Sequence, residues 1–234
     1  MNERNCSQIQ GIALGFLAGY VDALGFIALF GLFTAHVTGN FILIGAALAN
    51  PASSPILLKF LAFPAFIAGV VLARLLVVAL DTQRRPALRA ALLLELVLLA
   101  GFMACGLAAA PLAGSDAPLA MAAGLLGAAA MGAHSAISRL LLGHLAPTSM
   151  MTGNVTQIVI DSVDLLRGAE DPGLRARFAK FLWPLAAFAI GCIAAAFGYR
   201  WFGFAALALP LLILLVLLAL ESAVVAGQGQ ATSP

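Results

Sequence analysis

The 234 residues are 63% hydrophobic and only 9% charged, with a mean hydropathy of +1.07 and a formal net charge of +2. An ordinary soluble domain carries about 25% charged residues, so this chain lacks the charges for a water-facing surface, and its small net charge implies neither a nucleic-acid partner nor a polyanionic substrate. At roughly 20 residues per crossing the length holds six or seven spans, so residues 1–234 are expected to form one membrane domain.

The N-terminus carries Glu3 and Arg4 and lacks a basic n-region and a small-residue cleavage site, so the first span is expected to be retained. Apolar runs at 11–31, 56–80, 90–110, 119–142, 181–199 and 202–220 predict six transmembrane helices. Segments rich in Pro, Gly, Asp and Arg at 50–55, 81–89, 111–118, 143–151 and 168–180 predict the loops between them. Two shorter runs, 39–49 and 153–166, are too short for a comfortable crossing and predict re-entrant half-helices. Cys6, Cys105 and Cys192 are far apart, and the last two sit in apolar stretches as small hydrophobes rather than as disulfide or metal ligands.

Both short runs follow the same words. Thr34-x-x-x-Thr38-Gly39-Asn40 opens the first, and Thr148-x-x-x-Thr152-Gly153-Asn154 opens the second, 114 residues later. Gly19-Tyr-Val-Asp22-Ala23 precedes the first motif as Gly132-Ala-His134-Ser135-Ala136 precedes the second, and Lys59-Phe-Leu-Ala-Phe-Pro64 echoes Lys180-Phe-Leu-Trp-Pro184. This ordered set points to an internal duplication, with repeats over about 11–110 and 118–222.

Positive charge sets the expected orientation. Arg84, Arg85 and Arg89 belong on the cytoplasmic side, as do Arg167, Arg175, Arg177 and Lys180, whereas the 111–118 loop has no Lys or Arg and faces out. Both basic clusters lie inside only if the segment after Thr152 returns to the side on which it entered. The same accounting, with Lys59 marking the outer loop, makes the first short helix re-entrant too. The expected fold is an all-α integral membrane protein: six transmembrane helices plus two short re-entrant half-helices, as two inverted three-span repeats with both termini cytoplasmic. Full crossings by both short segments would give eight spans and parallel repeats instead.

Non-helical backbone survives at membrane depth only inside protein or along a wet cavity. Half-helices starting at Thr38, Gly39, Asn40 and at Thr152, Gly153, Asn154 would aim free N–H groups and a partial positive charge inward, which suits an anion or polar solute. The plainer reading is that these polar residues cap two helices and the glycines allow turning or close packing. Asp22 is a carboxylate within an apolar run and a candidate proton-coupling residue, or a structural partner of Arg74 or His134. His134 is a candidate relay.

Asn154, Gln157, Asp161 and Asp164 share one helical face, where Asp161 is a third coupling candidate and Asp164 is read as meeting headgroup water or Arg167. Arg74 and Glu95 are expected to pair with each other. His36 is a candidate ligand, although it stands opposite Met150 of the second motif, which argues against an essential duplicated role. Gly124, Gly127 and Gly132 suit close helix packing. No Ser-His-Asp, H-E-x-x-H, Walker or C-x-x-C arrangement appears, so no enzyme, cofactor or metal is expected.

The paired T-x-x-x-T-G-N motifs, with Gly19-x-x-Asp22-Ala23 and Gly132-x-x-x-Ala136 before them, resemble the YoaK-like family of bacterial multi-pass inner-membrane proteins of unknown function. The resemblance covers nearly the whole chain and implies the bacterial inner (plasma) membrane. The family's second half carries a Gln-Asn pair where this chain has His134-Ser135, so no second-half amide role carries over.

The expected function is transport of a small polar or anionic solute, at a site formed by the two T-G-N helix starts. A passive channel with the same segments, and a membrane scaffold or assembly factor without transport, are the alternatives. The expected partners are the lipid bilayer and a small-molecule or ion substrate, with no nucleic acid, and a homo-oligomer is compatible with the sequence.

Overall fold

A computed structural model describes residues 3–50, 55–83 and 87–231. Arg84 and Arg85 of the expected cytoplasmic cluster lie outside the described residues, as do the side chains of Glu3, Arg4 and Cys6. Everything described is helix and connecting loop, with no strand. The helices are α1 (Glu3–Ala28), α2 (Gly39–Ala49), α3 (Ile56–Thr82), α4 (Ala87–Ala109), α5 (Pro118–Leu140), α6 (Met151–Leu166), α7 (Leu174–Phe202) and α8 (Ala208–Ala231). Among these residues five stretches are long and apolar enough to cross a membrane: Gln8–Ala28, Ile56–Thr82, Ala87–Ala109, Pro118–Leu140 and the 48-residue Leu174–Glu221.

Local chemistry explains the boundaries. Pro118 begins α5 at the first helical position, where its missing N–H is no loss. Phe30 and Gly31, at φ 55° and 74°, turn the chain sharply after α1. A bulky side chain rarely takes that left-handed backbone, and Lys59 holds the turn by donating from Nζ to the Phe30 carbonyl at 2.7 Å. The last stretch is broken at Gly203 (φ 56°), where the turn Gly203–Leu207 separates α7 from α8. Pro64 and Pro184 lie inside α3 and α7, as membrane helices tolerate.

Most of α1 and α5 is buried in the protein, whereas most of α3 faces outward. The main packing is crosswise: α1 runs along α7, and α5 is held between α3 and α4. In the α1–α7 crossing a Cβ at Gly19 would strike the Phe188 carbonyl, and one at Gly191 the Phe16 carbonyl. In the α3–α5 crossing Gly132 meets the Phe66 carbonyl and Gly69 the Ala129 carbonyl in the same manner. In all four helices the glycine stands three residues after the residue whose carbonyl is met, so the two crossings share one register. Gly124 and Gly127 make room for Leu32 and Phe102.

The T-G-N glycines behave differently from expectation. Neither Gly39 nor Gly153 has a left-handed backbone. Nor do the threonines cap: Thr38 precedes α2 without a side-chain cap bond, and Thr152-Gly153-Asn154 lies inside the first turn of α6, which starts at Met151.

Candidate functional site

Asp22, on the inner face of α1, is 4% exposed. Its Oδ1 accepts hydrogen bonds from the backbone N–H groups of Thr34 (2.8 Å), Ala35 (2.7 Å) and His36 (3.4 Å), and from Thr34 Oγ1 (3.3 Å). Three successive amides converging on one oxygen form a backbone nest of the kind that binds anions. Here the anion is the protein's own. The other oxygen, Oδ2, lies 2.6 Å from His36 Nδ1. Neither Arg74 nor His134 is its partner; Arg74 is exposed, and His36 takes that place. In the loop between spans, the bond to Asp22 outweighs burial and raises the His36 pKa above the ordinary imidazole value.

Asn40 fixes the same loop from α2. Its Oδ1 accepts from Phe33 N–H at 3.0 Å while its Nδ2 donates to Phe33 C=O at 2.8 Å. The second half repeats half of this clamp: Asn154 Nδ2 donates to the Pro147 carbonyl at 2.7 Å, again seven residues back, and a proline has no N–H for the other arm. In both motifs the first threonine, Thr34 or Thr148, is buried, whereas the second, Thr38 or Thr152, is exposed.

Beside the Asp22–His36 pair lies an open groove of about 830 Å³. Phe26, Phe33, Ile42 and Phe188 give it apolar walls, Thr38 and Gly39 border it, and Asp22 with His36 supplies its charged end. Cys192 on α7 also faces it, donating from Sγ to the Gly19 carbonyl at 3.3 Å. The second motif contributes nothing to this groove, and α2 and α6 do not touch. Among the described residues, then, only the first T-G-N segment borders this groove.

The remaining candidates occupy two other places. His134 sits between Glu95, whose Oε1 is 2.9 Å from Nδ1, and Thr148, whose Oγ1 is 2.8 Å from Nε2. The expected Arg74–Glu95 pair is thus replaced by Glu95–His134, because Glu95 points into the α4–α5 contact while Arg74 points out. Asp161, fully buried, accepts from Gln157 (2.9 Å) on its own helix and from Arg177 (3.0 Å) on α7, which also bonds exposed Asp171. Asp164 is half-buried. Lys59, expected as a loop marker, is 1% exposed at the start of α3. Among the described residues no cluster of His, Cys, Asp and Glu is arranged to hold a metal ion.

A family model described as a protein of unknown function (DUF1275) matches residues 10–220. The chain is similar to the UPF0700 transmembrane protein YoaK of Bacillus subtilis (strain 168), at 36% identity over 83 residues, which is 35% of this chain and 37% of that protein. No solved structure matches. With a match across nearly its whole length and five stretches able to cross a bilayer, the chain belongs to the DUF1275 family and is a membrane protein.

Proposed function

We propose that this protein is a proton-linked carrier of a small amphipathic organic acid, bound in the groove beside Asp22 and His36. The observation that carries this reading is the arrangement of the pair against the groove. Asp22 is already satisfied by three amides and by His36 Nδ1, which leaves the other edge of the imidazole, Nε2, as the polar valence that the pair offers a solute in the groove lined by His36. Protonated His36 offers an N–H donor and a positive charge there. A solute carboxylate meets that edge, and its hydrocarbon body lies against Phe26, Phe33 and Phe188. When His36 loses its proton the donor becomes an acceptor and the anion is released, so solute and proton travel together. The binding site is built on the first T-G-N segment alone.

The reading includes six spans, two re-entrant segments and inverted halves, in a bacterial inner membrane with both termini cytoplasmic. Gly203 supports it by dividing a 48-residue apolar stretch long enough for two crossings. At about 1.5 Å per residue, the 11 residues of α2 and the 16 of α6 fall short of a hydrocarbon core of about 30 Å. The shared register of the two glycine crossings supports a duplication.

The test is uptake of radiolabelled short-chain and aromatic monocarboxylates into proteoliposomes, with and without a pH gradient. Saturable flux driven by the gradient and lost in His36→Gln and Asp22→Asn is expected. Absence of saturable flux across the panel, or flux in folded His36→Gln equal to that of the native chain, would overturn the proposal.

A further inference from the structure

Another carboxylate–imidazole pair joins the two halves, Glu95 from α4 and His134 from α5, and it is sealed where the first is open. Glu95 and His134 are 0% and 1% exposed. Both pairs hang from the first threonine of their motif: Thr34 Oγ1 reaches Asp22, and Thr148 Oγ1 reaches His134. One feature sets the second pair apart. Glu95 Oε2 is buried with no hydrogen-bond partner.

An ionised carboxylate spreads its charge over both oxygens and requires donors at both. Glu95 has one contact, through Oε1. The neutral acid fits this setting: its hydroxyl on Oε1 donates to His134 Nδ1, and Oε2 becomes a carbonyl, the less costly oxygen to leave bare. His134 then keeps its own proton on Nε2 and donates it to Thr148 Oγ1. Each of the two contacts then has one donor and one acceptor.

We propose that Glu95 and His134 form a proton-binding site, with the proton stored on Glu95 and passed through His134 and Thr148 to the α5–α6 loop. In the release step the Oε1–H bond of Glu95 breaks as an Nδ1–H bond forms, and the Nε2–H bond breaks as the proton passes by the Thr148 hydroxyl to water at the loop. The products are an ionised Glu95 facing Nδ1–H of a neutral imidazole, and one hydronium. Hydroxyls mark the way out: Thr148 N–H donates to Ser138 Oγ at 3.4 Å, and half-buried Ser149 bonds Ser135 at 3.1 Å.

Other charged groups on the packed elements leave this site alone. On α3, Arg74 is exposed, Asp81 lies near the helix end, and Lys59 is bonded to Phe30 at the opposite end. On α4 the other described charge is Arg89, at the helix start; on α5 it is exposed Arg139; and on α1, which also packs on α5, Asp22 is taken up by the 34–36 loop. Within 208–221 of α8 it is Glu221 at the end.

The proton site stands on this geometry, and only its use in coupling rests on the proposed transport. Infrared difference spectroscopy of the full chain in lipid nanodiscs at neutral pH tests it. A protonated-acid carbonyl band is expected in the native chain, lost in Glu95→Gln and kept in Asp22→Asn and Asp161→Asn. Thr148→Val, which leaves both members of the pair in place, is expected to keep the band and slow its decay after an alkaline pH jump by on the order of tenfold. No band in the native chain, or a band untouched by Glu95→Gln, would overturn the site. Unchanged decay in Thr148→Val would overturn the exit path. A band without flux in proteoliposomes removes the transport reading and leaves the proton site standing, whereas flux without a band does the reverse.

Discussion

Asn40 holds both the N–H and the C=O of Phe33, seven residues earlier, and so ties the start of α2 to the loop that carries His36. Asn154 holds the carbonyl of Pro147 but not its nitrogen, and beyond that makes one weak contact to the Met151 sulfur at 3.4 Å. At about 1 kcal/mol per bond, Asn40→Ala is expected to destabilise the protein by about 2 kcal/mol and Asn154→Ala by about half that. Thermal unfolding in detergent measures both, and equal losses would mean that the second arm of the Asn40 clamp contributes nothing.

The raised pKa of His36 makes a signed prediction. A group whose pKa rises on folding contributes stability that is fully present below its unfolded value, about 6.5 for imidazole, and that is lost as pH rises through the folded value. The melting temperature of the native chain should therefore fall across that window relative to His36→Gln. A native profile that climbs relative to the variant there would contradict the Asp22–His36 pairing.

Small residues at the helix crossings divide into two classes. Gly19→Ala puts a methyl group into the Phe188 carbonyl and Gly132→Ala one into the Phe66 carbonyl, each expected to cost about 1–3 kcal/mol. At Gly153 an added methyl group would meet nothing within 4 Å, and the residue sits in a helix, so Gly153→Ala is expected to be neutral or to stabilise by up to about 1 kcal/mol. Melting temperatures of the three variants decide it.

Arg177 is shared between buried Asp161 and exposed Asp171. Removing Arg177 strands the Asp161 charge, whose Oδ2 already lacks a partner, whereas Asp171→Ala disturbs a solvated pair and one exposed bond from the Gly173 N–H. Arg177→Ala is therefore expected to lower the melting temperature far more than Asp171→Ala, and the double variant Asp161→Asn with Arg177→Ala is expected to recover most of the loss. No recovery would place the role of Arg177 elsewhere.

Membrane character and the long apolar helices were legible because charge and hydropathy are read one residue at a time. The repeated motif drew attention to Asn40 and Asn154, and both are buried and bonded to the chain seven residues earlier. Which face each residue presents was not legible: Thr38 and Thr152 were read as the site residues, yet the first threonine of each motif, Thr34 or Thr148, is the buried one. His36 was set aside because Met150 stands opposite it in the repeat, but its partner is Asp22, fourteen residues earlier and across a turn. Glu95 and His134 are thirty-nine residues apart, and Phe188 and Cys192 reach the groove from the other half, so no periodicity within one helix signals them. Lys59 read as a loop charge because burial of a lysine depends on a carbonyl, that of Phe30, which only the fold supplies.

The Asp22 carboxylate seated on the amides of Thr34, Ala35 and His36 acts as a decoy. A tethered group competes at an effective concentration on the order of millimolar, so dilute free anions lose the contest for those amides. Phosphate and sulfate, which favour several N–H donors at once, find them occupied. The loop thus keeps dilute inorganic oxyanions from those amides by prior occupancy, without any side chain devoted to repelling them.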